Sequence, residues 1–299
     1  MICLDFDKDY RSPVCLALGF FDSVHLGHRE LIRRMKSYSV SHGALSCVFT
    51  FDNDLGAFFD KNSKQVYTFS ERKEIFEKLG ADIVFHRRFD RAFMQTSAED
   101  FLSELFSSLN IKKVFCGYDY SFGSGGKGDT RLLEKFCEKR SAELEILPKI
   151  EYDGERVSTT LIKKLLAGGE ISQANRLLED PFWVCGNVVH GRSVGHLYGF
   201  PTANIDYPSE KILPKHGVYG TVIHIGKNRF KGVTNIGPKP TFDVESVSVE
   251  TLIDGTVNDL YGKEIKIEFI KYLRGIEKFD TPDALSAQIH KDLNWRREC

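Results

Sequence analysis

The chain has 299 residues, 41% hydrophobic and 28% charged, which suits two domains of the common size of about 100–200 residues. A formal net charge of -1 excludes a broad basic face for a nucleic-acid backbone but leaves room for a local pocket that takes the phosphates of one nucleotide. No stretch reaches the roughly 18 unbroken apolar residues of a membrane helix, Asp5, Asp7 and Asp9 stand where an export signal would be basic, and the seven cysteines include no C-x-x-C pair, so a soluble, cytoplasmic protein with buried thiols and no membrane partner is expected.

In chain order, apolar runs predict strands at 14–19, 44–51, 81–85, 112–116 and 143–147. Between them lie helical patterns at 26–42, at 70–80, after a capping box of Thr96 with Glu99, and at 130–141. This alternation implies right-handed crossovers and a parallel sheet covered by helices on both faces, a Rossmann-like α/β domain. Residues 157–178 read as helical through Ile162, Leu165, Leu166, Ala174, Leu177 and Leu178, and Pro181 closes the segment, so domains of 1–180 and 181–299 are expected.

The second part reads as strands at 183–189, 218–225, 230–236, 247–253 and 265–272, with Gly226, Lys227 and Asn228 turning between the second and third. Short strands with Gly-rich turns suggest a small closed antiparallel β-barrel. Thr281 caps a last helix, Pro282 takes its first position, and Leu285, Ile289 and Leu293 form a face that should pack on the barrel.

Residues 19–28, Gly-Phe-Phe-Asp-Ser-Val-His-Leu-Gly-His, leave the first strand and open the first helix. Anions bind at such a place, because the helix N-terminus offers unpaired N–H groups and a positive dipole end. His25 and His28 share one face and can donate to phosphate oxygens as charge develops, while Gly27 lets a ligand approach the backbone. A bare H-x-x-H is equally a surface or metal pair. Residues 123–128 fit G-x-G-x-x-G with Glu143 following, the pattern of a dinucleotide oxidoreductase, but 118–122 intervene between strand and motif, and Lys127 lacks the Ser or Thr of a Walker A loop. Farther on, Thr202 and Asn204, two apart in a short strand, offer a hydroxyl and an amide as hard ligands for magnesium, with a polar turn as the alternative. Glu250 is an ionisable group in a strand dominated by Val247, Val249, Leu252 and Ile253.

The strand, glycine and histidines at 14–28 resemble the H-x-G-H nucleotidyltransferases, and further segments narrow the likeness to the bacterial bifunctional riboflavin kinase/FMN adenylyltransferases (FAD synthetases). Residues 117–123, Gly-Tyr-Asp-Tyr-Ser-Phe-Gly, are similar to that family's flavin and nucleotide loop, and 157–163 to its Ser-Ser-Thr-x-x-Arg segment. The run 195–205, Gly-His-Leu-Tyr-Gly-Phe-Pro-Thr-Ala-Asn-Ile, looks like the riboflavin kinase signature, and its later pieces occur in order at 217–219, 232–237, 240–242, 249–251 and 260–262, then Arg274 and Phe279. The resemblance implies riboflavin, FMN and ATP as substrates, FAD as final product and magnesium as the metal. It assigns adenylyl transfer to His25 and His28 and phosphorylation to Glu250. Nucleotide contacts go to Gly19, Phe20, Asp22, Gly27, Asp119, Ser158, Thr159, Lys163, Gly195 and Pro201, flavin contacts to Tyr120, Phe122, Arg274 and Phe279, and metal contacts to Thr202 and Asn204.

Several positions depart from the family pattern. Lys163 replaces an arginine and loses its bidentate fork, Ser23 replaces a glycine, and 51–55 read Phe-Asp-Asn-Asp-Leu instead of Phe-Glu-Pro-His-Pro. In the second half His196 and Lys239 replace arginines, Leu252 replaces a histidine, and the acidic residue after Arg274 is shifted. These predict an intact kinase and a slow or silent adenylylation step. The alternatives are a kinase with a degenerate first domain, or a flavin-binding regulator without catalysis. Nucleic acid is not an expected partner, and the oligomeric state is left open.

Overall fold

The computed structural model describes residues 1–190, 202–238, 247–255 and 260–297. It divides into two compact units, Met1–Thr159 and Thr160–Cys299. In the first, β1 (Ile2–Asp5), β2 (Tyr10–Leu18), β3 (Leu45–Phe51), β4 (Ile83–Arg87), β5 (Leu109–Gly117) and β6 (Glu143–Leu147) form one parallel sheet in the order β1-β4-β3-β2-β5-β6. Helices α1 (Leu26–Ser41), α2 (Phe69–Lys78), α3 (Ala98–Ser108) and α4 (Thr130–Lys139) make the crossovers. Val14 to Leu18 are all buried, as a central parallel strand covered on both faces requires. The chain leaves β2 for β3 on one side and later returns to β5 on the other. The loops after β2 and β5 therefore flank the crevice where a doubly wound sheet binds ligands.

The expected capping box of Thr96 with Glu99 lies one residue too early. Thr96 still belongs to the preceding turn, its N–H bonding Phe93 O at 3.0 Å, and Ser97 caps α3, accepting from Asp100 N at 3.0 Å. Helix α2 begins at Phe69, behind a reciprocal box of Thr68 and Glu71. Strand β1 escaped the sequence reading because it is a short, mostly exposed edge strand inside an acidic segment.

A two-stranded hairpin, β7 (Glu151–Tyr152) with β8 (Glu155–Arg156), ends the first unit, and α5 (Thr159–Gly168) starts at its last residue. In the second unit, α6 (Ile171–Leu178) packs on a closed barrel of order β10-β13-β12-β11-β14-β9. Its strands are β9 (Phe182–Val189), β10 (Thr202–Asp206), β11 (Gly217–Ile225), β12 (Asn228–Pro238), β13 (Val247–Ile253) and β14 (Glu264–Arg274). Ile225 pairs with Asn228, so the β11–β12 turn is the two residues Gly226 and Lys227, with Gly226 at φ +59° supplying the left-handed backbone. Inside the barrel, Thr221, Thr234 and Thr251 form a buried hydroxyl chain with links of 2.9 and 2.8 Å.

The C-terminal helix α7 (Pro282–Leu293) is capped by Thr281. Of the face expected to pack on the barrel, Leu293 joins the outer cluster with Val218 and Val233, while Leu285 and Ile289 are half-buried. The main anchor follows the helix. Trp295 is buried against the same cluster and its indole N–H donates to Gly232 O at 2.9 Å. Gly220 lies beneath it, where a Cβ would come within 2.5 Å of the indole.

Candidate active sites

His25 is the N-cap of α1. Its Nδ1 accepts from Gly27 N at 3.2 Å and His28 N at 3.4 Å, which leaves Nε2–H as the ring's donor. The two imidazoles stack with centroids 3.8 Å apart, and a Cβ on Gly27 would press on the capping ring at 3.2 Å. Burial lowers His25 to about 4 and holds His28 well below the usual imidazole value, the latter with help from His25 and Arg72. Both rings are therefore neutral at pH 7. Nδ1 of His28 is buried with no hydrogen-bond partner among the described residues.

The loop that presents this pair holds two bulky residues in left-handed conformations, Phe21 at φ +56° and Val24 at φ +42°. Phe21 turns its ring back over Gly19, where a Cβ would lie 2.8 Å from it, and edge-on against His28 at 5.0 Å. Two buried arginines fasten the loop. Arg29 Nε donates to Val24 O at 3.0 Å. Arg72 donates from Nη1 to Phe20 O at 2.8 Å and Thr50 Oγ1 at 2.7 Å, and from Nη2 to Phe51 O at 2.8 Å. Its plane lies 4.9 Å from the Phe20 ring centroid. Burial lowers Arg72 to about 10, opposed by Asp22, Asp52, Asp54 and Glu71, so it remains charged. Neither arginine stood out in the sequence. The available signal was a lone charge on an apolar helix face, Arg72 with Ile75 and Phe76 at i+3 and i+4.

Asp22 accepts from Val66 N at 2.7 Å, tying the same loop to 65–67. The residues that depart from the family pattern are also bonded. Ser23 Oγ meets Thr159 Oγ1 at 3.0 Å, joining the first crossover to the start of α5. Asp52 faces His86 at 3.1 Å, Asn53 exchanges two bonds with Phe89 at 2.9 and 2.7 Å, and Asp54 accepts from Gly56 N at 2.8 Å.

In the loop after β5, Asp119 is ion-paired with Arg156, whose guanidinium lies 5.1 Å from the Tyr118 ring centroid. Tyr120 stacks on Phe122 at 5.5 Å, and burial pushes the Tyr120 phenol upward. Phe122 itself belongs to the core and packs on Phe101. The glycines of 123–128 are explained by packing. Phe122 and Gly128 close a small antiparallel bridge, and a Cβ on Gly123 would strike the Ala98 backbone at 2.6 Å. Helix α4 starts only at Thr130 behind its own cap, Asp129, so the segment is not a strand-to-helix phosphate turn. Ser158 and Thr159 sit at the approach to α5 and Lys163 in its first turns, half-buried.

On the barrel, Thr202 pairs with Leu252 and Asn204 with Glu250, and Glu250 pairs in turn with Asn235. Directly opposed residues share a face, so Asn204, Glu250 and Asn235 form one transverse row with Thr202 beside it. Continuing the register through Val218 reaches Arg274. Since Thr251 points inward, this row is on the barrel's outer face. Arg274 is engaged by Asp292, with Nε at 3.1 Å from both carboxylate oxygens and Nη2 at 2.8 Å from one, and it lies 5.6 Å from the Phe279 ring. Gln288 completes the buried carboxylate's partners at 2.8 Å. Gly195, Pro201, His196 and Lys239 lie outside the described residues.

A parallel-sheet unit with paired imidazoles at its first crossover, followed by a closed barrel carrying a carboxylate–amide row, is the architecture of a two-domain nucleotide-dependent transferase. Family models described as FAD synthetase and riboflavin kinase match residues 7–161 and 178–299. The bifunctional riboflavin kinase/FMN adenylyltransferase of Listeria monocytogenes is 34% identical, covering 93% of this chain and 89% of that one. Its Bacillus subtilis counterpart is 32% identical, covering 95% and 92%. The chain belongs to the family of bifunctional riboflavin kinase/FMN adenylyltransferases. Among solved structures, one described as a macrolide-efflux protein from Streptococcus pneumoniae aligns over 100% of both chains with a TM-score of 0.91 at 26% identity. Fold likeness does not carry activity. Among the described residues no helix is long and apolar enough to cross a membrane.

Proposed function

We propose that this chain phosphorylates riboflavin to FMN on its barrel and adenylylates FMN to FAD in its parallel-sheet unit, using ATP for both and releasing pyrophosphate in the second step. Family membership over both halves supports the pair of activities. The residue assignment rests on one observation, the register that sets Asn204 opposite Glu250 with Thr202 two residues along. The working division is 1–180 for adenylylation and 181–299 for phosphorylation.

In the kinase step Glu250 takes the proton of the terminal ribityl hydroxyl as that oxygen bonds the γ-phosphorus and ADP leaves. Thr202 and Asn204 supply neutral oxygen ligands beside it, a set that fits magnesium shared with phosphates. No group of three or more His, Cys, Asp or Glu is disposed to hold a metal alone among the described residues. Bound magnesium would neutralise charge on the transferring phosphoryl group. Arg274, held by the Asp292 carboxylate, and Phe279, whose ring lies beside that guanidinium, are the flavin-side contacts.

In the adenylyl step an FMN phosphate oxygen attacks the α-phosphorus and the bond to pyrophosphate breaks. Neutral His25 and His28 donate hydrogen bonds to oxygens that gain charge, which favours the transition state without holding the ground-state anion too tightly. Gly19, Phe20, Asp22 and Gly27 shape that loop, Asp119, Ser158, Thr159 and Lys163 serve the nucleotide, and Tyr120 and Phe122 the flavin. The six described cysteines are free, four of them buried, which supports a reducing, cytoplasmic setting.

Chromatography of the flavins formed from riboflavin, ATP and magnesium tests the assignment. His28→Ala should stop at FMN, and Glu250→Ala should leave riboflavin unconverted yet still turn supplied FMN into FAD. FAD synthesis that survives His28→Ala, or FMN synthesis that survives Glu250→Ala, refutes the corresponding site. FMN as the sole product of the unsubstituted chain would mean a kinase with an idle first domain.

A further inference from the structure

The outer row of the barrel gives Glu250 two different neighbours. On β10 stands Asn204, with Thr202 two residues along, and on β12 stands Asn235. Metal and phosphates belong to the β10 side, where the neutral oxygen ligands lie, so the acceptor that yields its proton to Glu250 enters from the β12 side. In that direction the register runs from Glu250 through Asn235 and Val218 to Arg274, three strand spacings or roughly 14 Å along the surface. A flavin with its polyol extended spans such a path, its ring toward Arg274 and its terminal hydroxyl at Glu250.

Asn235 is the polar member of that path before Arg274, and its other neighbours on the same face are apolar. Val233, two residues earlier, is buried, and Val218, opposite on β11, is buried in the cluster with Trp295. Two residues farther along β12, Gly237 carries no side chain because Ile276 fills the space, and a Cβ there would come 2.7 Å from Ile276 Cδ1. Asn235 is half-buried, and among the described residues neither its carboxamide nor the Glu250 carboxylate has a hydrogen-bond partner. A carboxamide offers two donor hydrogens and an acceptor oxygen, and leaving them unmatched beside apolar groups costs stability. A ligand that brings hydroxyls matches them.

Resting on the kinase reading, we propose that Asn235 selects the acceptor: its carboxamide hydrogen-bonds the ribityl hydroxyl next to the terminal one. Asn235 and Glu250 are directly opposed, roughly 5 Å apart at Cα, so with the terminal oxygen at the carboxylate the substituent on the neighbouring carbon faces the amide. That bond fixes the last torsion of the polyol and aims the terminal oxygen at the γ-phosphorus. An acceptor that lacks the hydroxyl leaves the amide unmatched and is discriminated against.

The test measures kcat/KM for phosphorylation of riboflavin, and of the analogue with hydrogen in place of that hydroxyl, by the parent chain and by Asn235→Ala. In the parent the analogue should be about tenfold or more the poorer substrate. In Asn235→Ala riboflavin should fall to about the level of the analogue, while the analogue loses little because its partner is already missing. The KM for ATP should stay unchanged. Tryptophan fluorescence in urea reports whether the barrel of the variant is intact, and Asn235→Ser repeats the comparison if the alanine variant is destabilised. Equal losses for both substrates, or riboflavin turnover that survives Asn235→Ala, overturn the proposal. A parent chain that forms no FMN defeats the kinase reading instead, and quenching of flavin fluorescence on binding then decides the role of Asn235. Binding weakened in Asn235→Ala for riboflavin but not for the analogue keeps it as the polyol contact, and equal changes overturn it.

Discussion

Replacing His25 with Asn separates its structural from its titrating role, because an asparagine side chain can still accept at an N-cap but carries no ionisable ring. Burial has lowered His25 from 6.5 to about 4. The unfolded chain therefore takes up the proton first as pH falls, so the stabilisation is complete above pH 6.5 and is lost on the way down to about pH 4. At pH 5 the loss from this one group is about 2 kcal/mol, which a denaturant slope of about 2 kcal/mol/M turns into a shift of about 1 M urea. His28 is held low first by its own burial, which both proteins share, and the smaller part that comes from His25 is lost in His25→Asn, adding to the difference in the same direction. Both tryptophans, Trp183 and Trp295, lie in the second unit, so fluorescence follows the barrel while ellipticity also reports the helices of the sheet unit. Between pH 7 and 5 the ellipticity midpoint of the unsubstituted chain should fall further than that of His25→Asn, with no matching difference in fluorescence. Equal pH dependence in both would show that His25 is not held neutral by burial.

Arg72→Met removes charged donors from two carbonyls and Thr50. It should cost about 2–3 kcal/mol of stability in urea titrations and, by releasing the imidazole loop, on the order of 100-fold in FAD formation, with FMN formation unaffected. Asp292→Ala removes the carboxylate that engages Arg274, which keeps Gly275 O at 3.2 Å and Glu277 at 3.9 Å, and the tryptophan-detected stability should fall by about 3 kcal/mol; a neutral result would mean the fork is dispensable. Thr234→Val cuts the centre of the hydroxyl chain inside the barrel and should cost about 1–3 kcal/mol by the same measurement, since Thr221 and Thr251 lose their shared partner.

Much of the candidate site was legible because the roles proposed for it rest on neighbours in sequence. The imidazole pair needs only a strand end, a glycine and a helix start, and Thr202 and Asn204 need only the twofold repeat of a strand. The G-x-G-x-x-G pattern at 123–128 misleads for a related reason. Glycine is demanded there by the approach of Ala98, a contact from 25 positions away that no local pattern contains. Arg72 and Arg156 were missed because a charge is read locally as surface, whereas each is given meaning by a carbonyl or carboxylate far along the chain, and Arg29, though its carbonyl partner Val24 is only five residues back, is buried only once the fold closes over it.

Hydrophobic period, caps and turn residues are local quantities, and they were enough to determine an α/β half followed by a strand-rich half and to point to phosphate chemistry in each. Only tertiary structure decided that His25 caps its own helix and is thereby a neutral donor, that Ser23 is bonded rather than intrusive, and that Asn204, Glu250 and Asn235 share a row. The reason is physical. Burial sets protonation state, and strand register sets which side chains meet, and both depend on groups that the chain brings together only when it closes.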